Sequence, residues 1–518
     1  MFRLLLSNHQ SLKEKIPIKE LPKTFQDAME IAKKLGIEYL WIDSLCIIQD
    51  SPEDWRREAS LMRDIFENCL CCIAATGSKS DGQGLLFERN PLLIQPLNVD
   101  IAPLKTREAD LSPPWDGGLP SRGRYTLIDM KSWELHVENS PLTSRGWVYQ
   151  ELLLSPRTLH YGQYQVLWEC RELRASEAHP EKILVQREER NPRGLKASDP
   201  VFEQKSKSYS GGLVQMSSER QEYSKRGFAL WRDVVHNYSR LILTNPEDKL
   251  IAVSGIVKHI QEIVDDQYLA GLWRKDFAYW LLWQADNTTT SRPSGPYRAP
   301  SWSWASIDGK CGMHNAKASE KNEFWDDDLT TPPPTPPDEE FIEDEVLISV
   351  HDVHVEPVGD DATGQISDGR AIVMGQLAKA KIIDTYEAEE AGAESTFATL
   401  SCVIGPRESL PVAHLMELNI DVMTKELEPE VFCLPIVHKH SRSVLLGLML
   451  VPDRTRPAIF RRYGMFFISE ESLSNGIDVK TSLERLGKAC RYLSEQANEV
   501  GLPSETVDGV VRHKITLV

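Results

Sequence analysis

Residues 21–66 read LPKTFQDAMEIAKKLGIEYLWIDSLCIIQDSPEDWRREASLMRDIF, and their periodicity decides the fold class. Thr24 stands where a helix cap belongs, with Asp27 three residues on. Phe25, Ala28, Met29, Ala32 and Leu35 then recur at helical spacing, and Gly36 marks a stop. Residues 37–43, IEYLWID, are short, apolar and rich in strand formers, which predicts a buried strand. Ser51 and Pro52 open a second helix with Asp54 at the capping-box position and Trp55, Ala59, Met62 and Phe66 on one face. Residues 70–76, LCCIAAT, predict another buried strand. Helix, strand, helix, strand in that order implies a parallel sheet with right-handed crossovers.

On this reading Asp43 falls at the carboxyl end of a parallel strand, the edge where open α/β sheets bind ligands. It serves equally well as a turn residue bonding its own backbone. Glu58 borders the apolar face of the second helix, as a half-buried acid or as the partner of Arg57 or Arg63. Further on, GWVYQELLL predicts a short helix over residues 147–154, stopped before Pro156. Glu151 lies one turn after Trp147 and is followed by three leucines, so it either faces solvent or is held in a cleft with a perturbed pKa. Trp55 and Trp147 read as packing anchors. The segments around Thr158 and Val166 predict a hairpin turning at Gly162-Gln163.

Beyond this region the chain changes character. Residues 181–225 are polar and turn-rich, a surface insertion. Three helices are expected next, the last in the aromatic run LWRKDFAYWLLWQ, followed by a strand in APSWSWASI with Trp302 and Trp304 on one face. EFWDDDLTTPPPTPPDEEFIEDE reads as an acidic, proline-rich linker. From Val346 onward, short β-rich runs separated by Gly, Pro and Asp predict a mostly antiparallel domain.

The chain has 518 residues, enough for two or three domains, and a net charge of -18, which argues against holding nucleic acid by counterion release. No stretch has the apolar length of a transmembrane helix, and the Leu4-Leu5-Leu6 run is too short for a secretory signal. The nine cysteines are odd in number and scattered, as expected for free thiols in a reducing compartment, and none pairs at metal-ligand spacing. Nucleophile-elbow, phosphate-loop, zinc-protease and dinucleotide fingerprints are all missing from the sequence.

Residues 21–66, together with SRGWVYQELLLSPRTLHYG, closely resemble two blocks of the fungal heterokaryon-incompatibility (HET) domain, and DKLIAVSGI and RAPSWSWAS resemble segments that often follow it. The resemblance implies a cytoplasmic protein of fungal non-self recognition and cell death, with a homo-oligomer or protein partner engaged through the domain. HET domains have been likened to TIR domains, whose doubly wound α/β fold in some cases cleaves NAD. Trp147-Val148-Tyr149-Gln150-Glu151-Leu152 is similar to the TIR signature W-C-x-x-E-L. That similarity implies Glu151 as the catalytic acid, with Asp43, Ser44 and Trp147 contacting NAD as substrate, and no metal or resident cofactor. HET domains usually begin with a Y-x-x-L-S-x-x-W-G block that Met1 here arrives too late to include, so a truncated or inactive copy is a further reading, beside a non-enzymatic signalling or assembly protein.

The expected organisation is therefore a doubly wound, mainly parallel α/β sheet over residues 1–175 and an insertion over 176–228. A helical region with a Trp-rich strand over 229–318, a linker over 319–343 and a β-rich domain over 344–518 follow.

Overall fold

In a computed structural model the described residues are 2–101, 123–127, 129, 131–181, 183, 216–286, 290–293, 295–313, 344–386, 399–403, 417–422, 430–439, 444–456, 458–468, 502–507 and 510–518. The proline-rich linker and most of the polar insertion lie outside them. The chain divides into two compact units, Met1–Gly211 and Gly212–Val518.

The first unit is mixed α/β. Helix α1 (His9–Glu14) is followed by α2 (Lys23–Lys34), α3 (Asp43–Cys46) and α4 (Pro52–Glu67). Strand β1 (Cys72–Ala74), the hairpin β2 (Leu97–Ile101)/β3 (Gly123–Leu127), α5 (Gly146–Leu154), β4 (Arg157–Tyr161), β5 (Val166–Cys170) and β6 (Arg174–Ser176) complete it. The main sheet runs β1-β4-β5-β6. β1 lies parallel to β4, with Cys72 opposite Thr158, while β4/β5 and β5/β6 are antiparallel. The hairpin expected around Thr158 and Val166 is present as β4 and β5. The sheet is therefore mixed, with one parallel pair among its described strands.

Alternation along these strands feeds two clusters. Ile73, Leu159 and Tyr161 pack with Ala28, Ile31, Leu85 and Leu40 on one side. Leu167 joins Trp133, Val137 and Ile183 in the other cluster, where His160 meets the Trp133 ring edge-on. The expected helices form for the expected reasons. Ser51 Oγ accepts the Asp54 N–H at 3.2 Å to cap α4, and Gly36 adopts φ +71 just past α2. Two local expectations are corrected. Thr24 does not cap α2; its hydroxyl donates to the Asp81 carbonyl instead. Asp54 accepts the Ile48 N–H at 2.8 Å, pinning the loop before α4.

Residues 37–43 differ more. They carry no strand assignment and pair with no strand among the described residues, and Asp43 already begins α3. Apolar character brings Leu40 to the core and lays Trp41 edge-on against Phe66 at 5.5 Å. It does not provide a neighbouring strand: among the described residues no main-chain hydrogen bond reaches residues 38–41, and Tyr39 is 83% exposed. The N-terminal segment ties down the residues just beyond, Leu4 N–H donating to the Ser44 carbonyl and Gln49 N–H to the Leu4 carbonyl.

Buried Asp27 orders the opposite side of this unit. Burial alone would raise its carboxyl, but the Lys23 ammonium and the N–H groups of Leu85 and Leu86 hold it below the usual range. Gly84, at φ +79, passes so close that a Cβ there would overlap the Asp27 carboxylate.

The second unit joins helices α6 (Met216–Tyr238) and α7 (Ser254–Val264) to an eleven-stranded sheet. Its main path runs Ser349–Pro357, Ile366–Gly375, Val510–Leu517, Ile459–Ile468, Val444–Pro452, Glu430–Lys439, Ala378–Tyr386, Thr399–Val403. All its pairings are antiparallel except Ile459–Ile468 with Val510–Leu517. The aromatic run expected as a third helix is broken into Leu272–Trp273, a one-turn helix Phe277–Trp280, and the strand Trp283–Ala285. Positive φ at Ala270, Gly271 and Asp276 interrupts any helix there. APSWSWASI is likewise no strand. Ser303 Oγ accepts the Ala305 N–H and caps a 3-10 turn, Trp304–Ser306. Trp231, Trp273, Trp283, Trp302 and Trp304 are all fully buried. Arg462 joins the sheet to this aromatic region. It holds Asp421 through Nε and Nη2 at 2.9 and 3.0 Å, stacks 3.6 Å from the Trp283 ring centroid, and donates to the carbonyls of Leu281 and Trp283.

Candidate functional site

Three helices of the first unit supply the residues that the sequence singles out. α3 carries Asp43 and Ser44; α4 carries Trp55 and Glu58; α5 carries Trp147 and Glu151. α4 and α5 meet through Trp55 and Trp147, whose rings stand edge to face at 6.2 Å. Both indoles are half-buried, as packing anchors at a surface should be.

Glu151 is partly buried in an apolar turn of α5, and among the described residues no hydrogen bond or ion pair ends on its carboxyl. Burial pushes it up to about 7; the Asp43 carboxylate adds to the rise and the Arg145 guanidinium opposes it. The Asp43 charge thus reaches Glu151, with one cation opposing it. Asp43 itself is exposed, and its Oδ1 accepts the Ser44 N–H at 2.7 Å, so it also fills the turn role. Ser44 is buried, and its Oγ has no hydrogen-bond partner among the described residues.

Cys46 lies in the same field. Its thiol is pushed up by burial, with smaller contributions from Asp43 and Glu58. That places Glu58 on the same side as Asp43, yet Glu58 is taken by Arg57, which donates to it from Nε and Nη2 at 3.1 and 2.9 Å. The cluster is thus two unpaired acids, Asp43 and Glu151, beside an aromatic pair and an unpartnered buried hydroxyl. Sequence reasoning did not single out Arg145 or Cys46. Arg145 immediately precedes α5, and a cation one helix-start away from an acid in an apolar turn is the signal that pointed to it.

Chemically the arrangement can hold hydroxyl groups on a carboxylate, stack a flat ring on Trp147, and stabilise positive charge developing nearby. No cluster of metal-ligating residues exists among the described residues, and none of their helices is long and apolar enough to cross a membrane.

Compared with known proteins, the chain matches no curated protein and no solved structure. One family model does match, that of the heterokaryon incompatibility protein (HET), over residues 4–151. Its span takes in α1 to α4 and ends on Glu151, so Asp43, Ser44, Trp147 and Glu151 all fall inside it. Residues 4–151 of this chain are a heterokaryon incompatibility (HET) domain.

Proposed function

We propose that the protein acts in fungal non-self recognition in the cytoplasm and triggers cell death through TIR-like cleavage of NAD by its HET domain, whose sheet would extend to a doubly wound form. The observation that carries this reading is the Glu151 carboxyl, unpaired among the described residues, half-buried, within reach of the Asp43 charge and one turn from Trp147. In this reading NAD is a substrate, and no resident cofactor takes part.

The reaction breaks the bond between ribose C1′ and the nicotinamide nitrogen. The bonding electrons leave with nicotinamide, which becomes neutral, so no general acid is needed. Glu151 as carboxylate accepts the ribose hydroxyl protons in hydrogen bonds and stabilises the oxocarbenium-like transition state. Water then bonds to C1′ and releases a proton. Trp147 stacks on the dinucleotide, the Ser44 hydroxyl gains a partner in it, and Asp43 adds negative field. Purified protein incubated with NAD should release nicotinamide, and Glu151→Gln should lower turnover by ~10²–10³-fold. Equal turnover in both would end the enzymatic reading.

A second reading, signalling by assembly without catalysis, is favoured by residues 38–41, which include exposed Tyr39 and make no main-chain hydrogen bond among the described residues. Cell killing on expression that survives Glu151→Gln would favour it, and killing that requires Glu151 would exclude it.

A further inference from the structure

The second unit holds a buried arginine whose guanidinium is only partly answered among the described residues. Arg298 is 6% exposed, and its Nη1 donates to Asp308 Oδ1 at 2.7 Å and to the Pro246 carbonyl at 3.2 Å. Its Nε and Nη2 are buried and have no acceptor among the described residues. Those two nitrogens form one edge of the guanidinium, the fork that fits two oxygens of a single anion. Arg462 shows the same edge filled, by the two Asp421 oxygens. Arg298 keeps the edge, the burial and the charge, but no carboxylate closes it.

The surroundings are also cationic. Lys249 is buried, its Nζ donating to the carbonyls of Ile307 and Ser239, and it sits 3.8 Å from the same Asp308 oxygen. Asp308 is 41% exposed, so one half-wet carboxylate serves two buried cations. Arg292, beside Asp421 and Arg462, feels Arg298 as well. Lys249, Arg298 and Arg462 are buried, and Arg292, 40% exposed, adds a further cation beside Asp421. Burial pushes Lys249 down to about 8, and Asp308 offsets only part of that. An unanswered, buried, bidentate edge costs free energy unless a ligand or ordered water meets it.

We propose that the open edge of Arg298 is an oxyanion-binding site. It takes two oxygens of a phosphate or carboxylate group of a small ligand, with Lys249 and Arg292 supplying the surrounding positive charge. The site belongs to the second unit and does not depend on the reading of Glu151.

Titration calorimetry on the full chain tests it, with inorganic phosphate and acetate in turn, each against chloride at matched ionic strength. Saturable heat with either anion supports the site. Phosphate alone assigns a phosphoryl ligand, and acetate alone a carboxylate. The Arg298→Lys variant keeps the charge but loses the fork, and should bind about tenfold more weakly or worse. Arg124→Gln, in the other unit, should bind as the unaltered chain does. A crystal of the unaltered chain soaked in phosphate provides a measurement that needs no variant. Density for an anion spanning Nε and Nη2 supports the proposal. Water alone at that edge, no saturable heat with either anion, or equal binding by a folded Arg298→Lys variant would overturn it.

Discussion

Glu151 condenses the site into one titration. A carboxyl raised from an ordinary 4.5 to about 7 holds its proton more tightly in the folded chain than in the unfolded one. Its contribution to stability is therefore greatest below the unfolded value and is lost as pH rises from about 4.5 to 7. Glu151→Gln should remove that slope and leave the protein more stable at pH 8 by roughly 2 kcal/mol, read by denaturant melts at pH 5 and pH 8. Asp43→Asn tests the pairing from the other side. Removing that negative charge should lower the Glu151 pKa, so the acid limb of the proposed NAD cleavage moves to lower pH whatever happens to its height. An unmoved limb would mean that the two acids do not share a site. Glu151 was legible as an acid in an apolar turn, but whether it met solvent or a cleft was not, because that depends on α3, about a hundred residues earlier in the chain.

Elements whose signals are local came through well. Ser51 and Pro52 start α4, Gly36 stops α2, and Gly162-Gln163 turns β4 into β5, because caps and turns act over three or four residues. Elements that need a partner did not. Residues 37–42 carry a strand's composition, yet pairing is a property of the neighbour as well. The run from Leu272 to Ala285 misled differently: Trp on every side removes the periodicity that would separate helix from strand. At this scale Gly84→Ala is the sharp test. The new Cβ would drive into the Asp27 carboxylate and break its contacts with Leu85 and Leu86. A loss of about 3 kcal/mol or more is expected in chemical denaturation, far beyond the usual glycine-to-alanine effect.

Across the whole chain, organisation followed composition more faithfully than topology did. The β-rich character after Val346 was plain from the sequence, whereas the strand order was not, since Val510–Leu517 inserts between strands far away in sequence. The polar link that joins that sheet to the aromatic region is Arg462, an ordinary arginine in the sequence and a fully buried ion pair in the fold. Arg462→Ala should strand Asp421 and cost about 3–5 kcal/mol, and thermal melts followed by circular dichroism should show it. Replacing both partners with apolar residues should cost much less.

The tryptophans also give the two units different optical signatures. The five indoles buried in the second unit sit in dry surroundings, while Trp41, Trp55 and Trp147 of the first are half in contact with solvent. Emission from the second unit should lie towards the blue and shift red only when that unit melts. A quencher added to the folded chain should silence Trp41, Trp55 and Trp147 preferentially and spare buried Trp133 of the same unit. One unlabelled cuvette can therefore follow the HET domain and the β-rich unit separately, and show whether a ligand added for one is felt by the other.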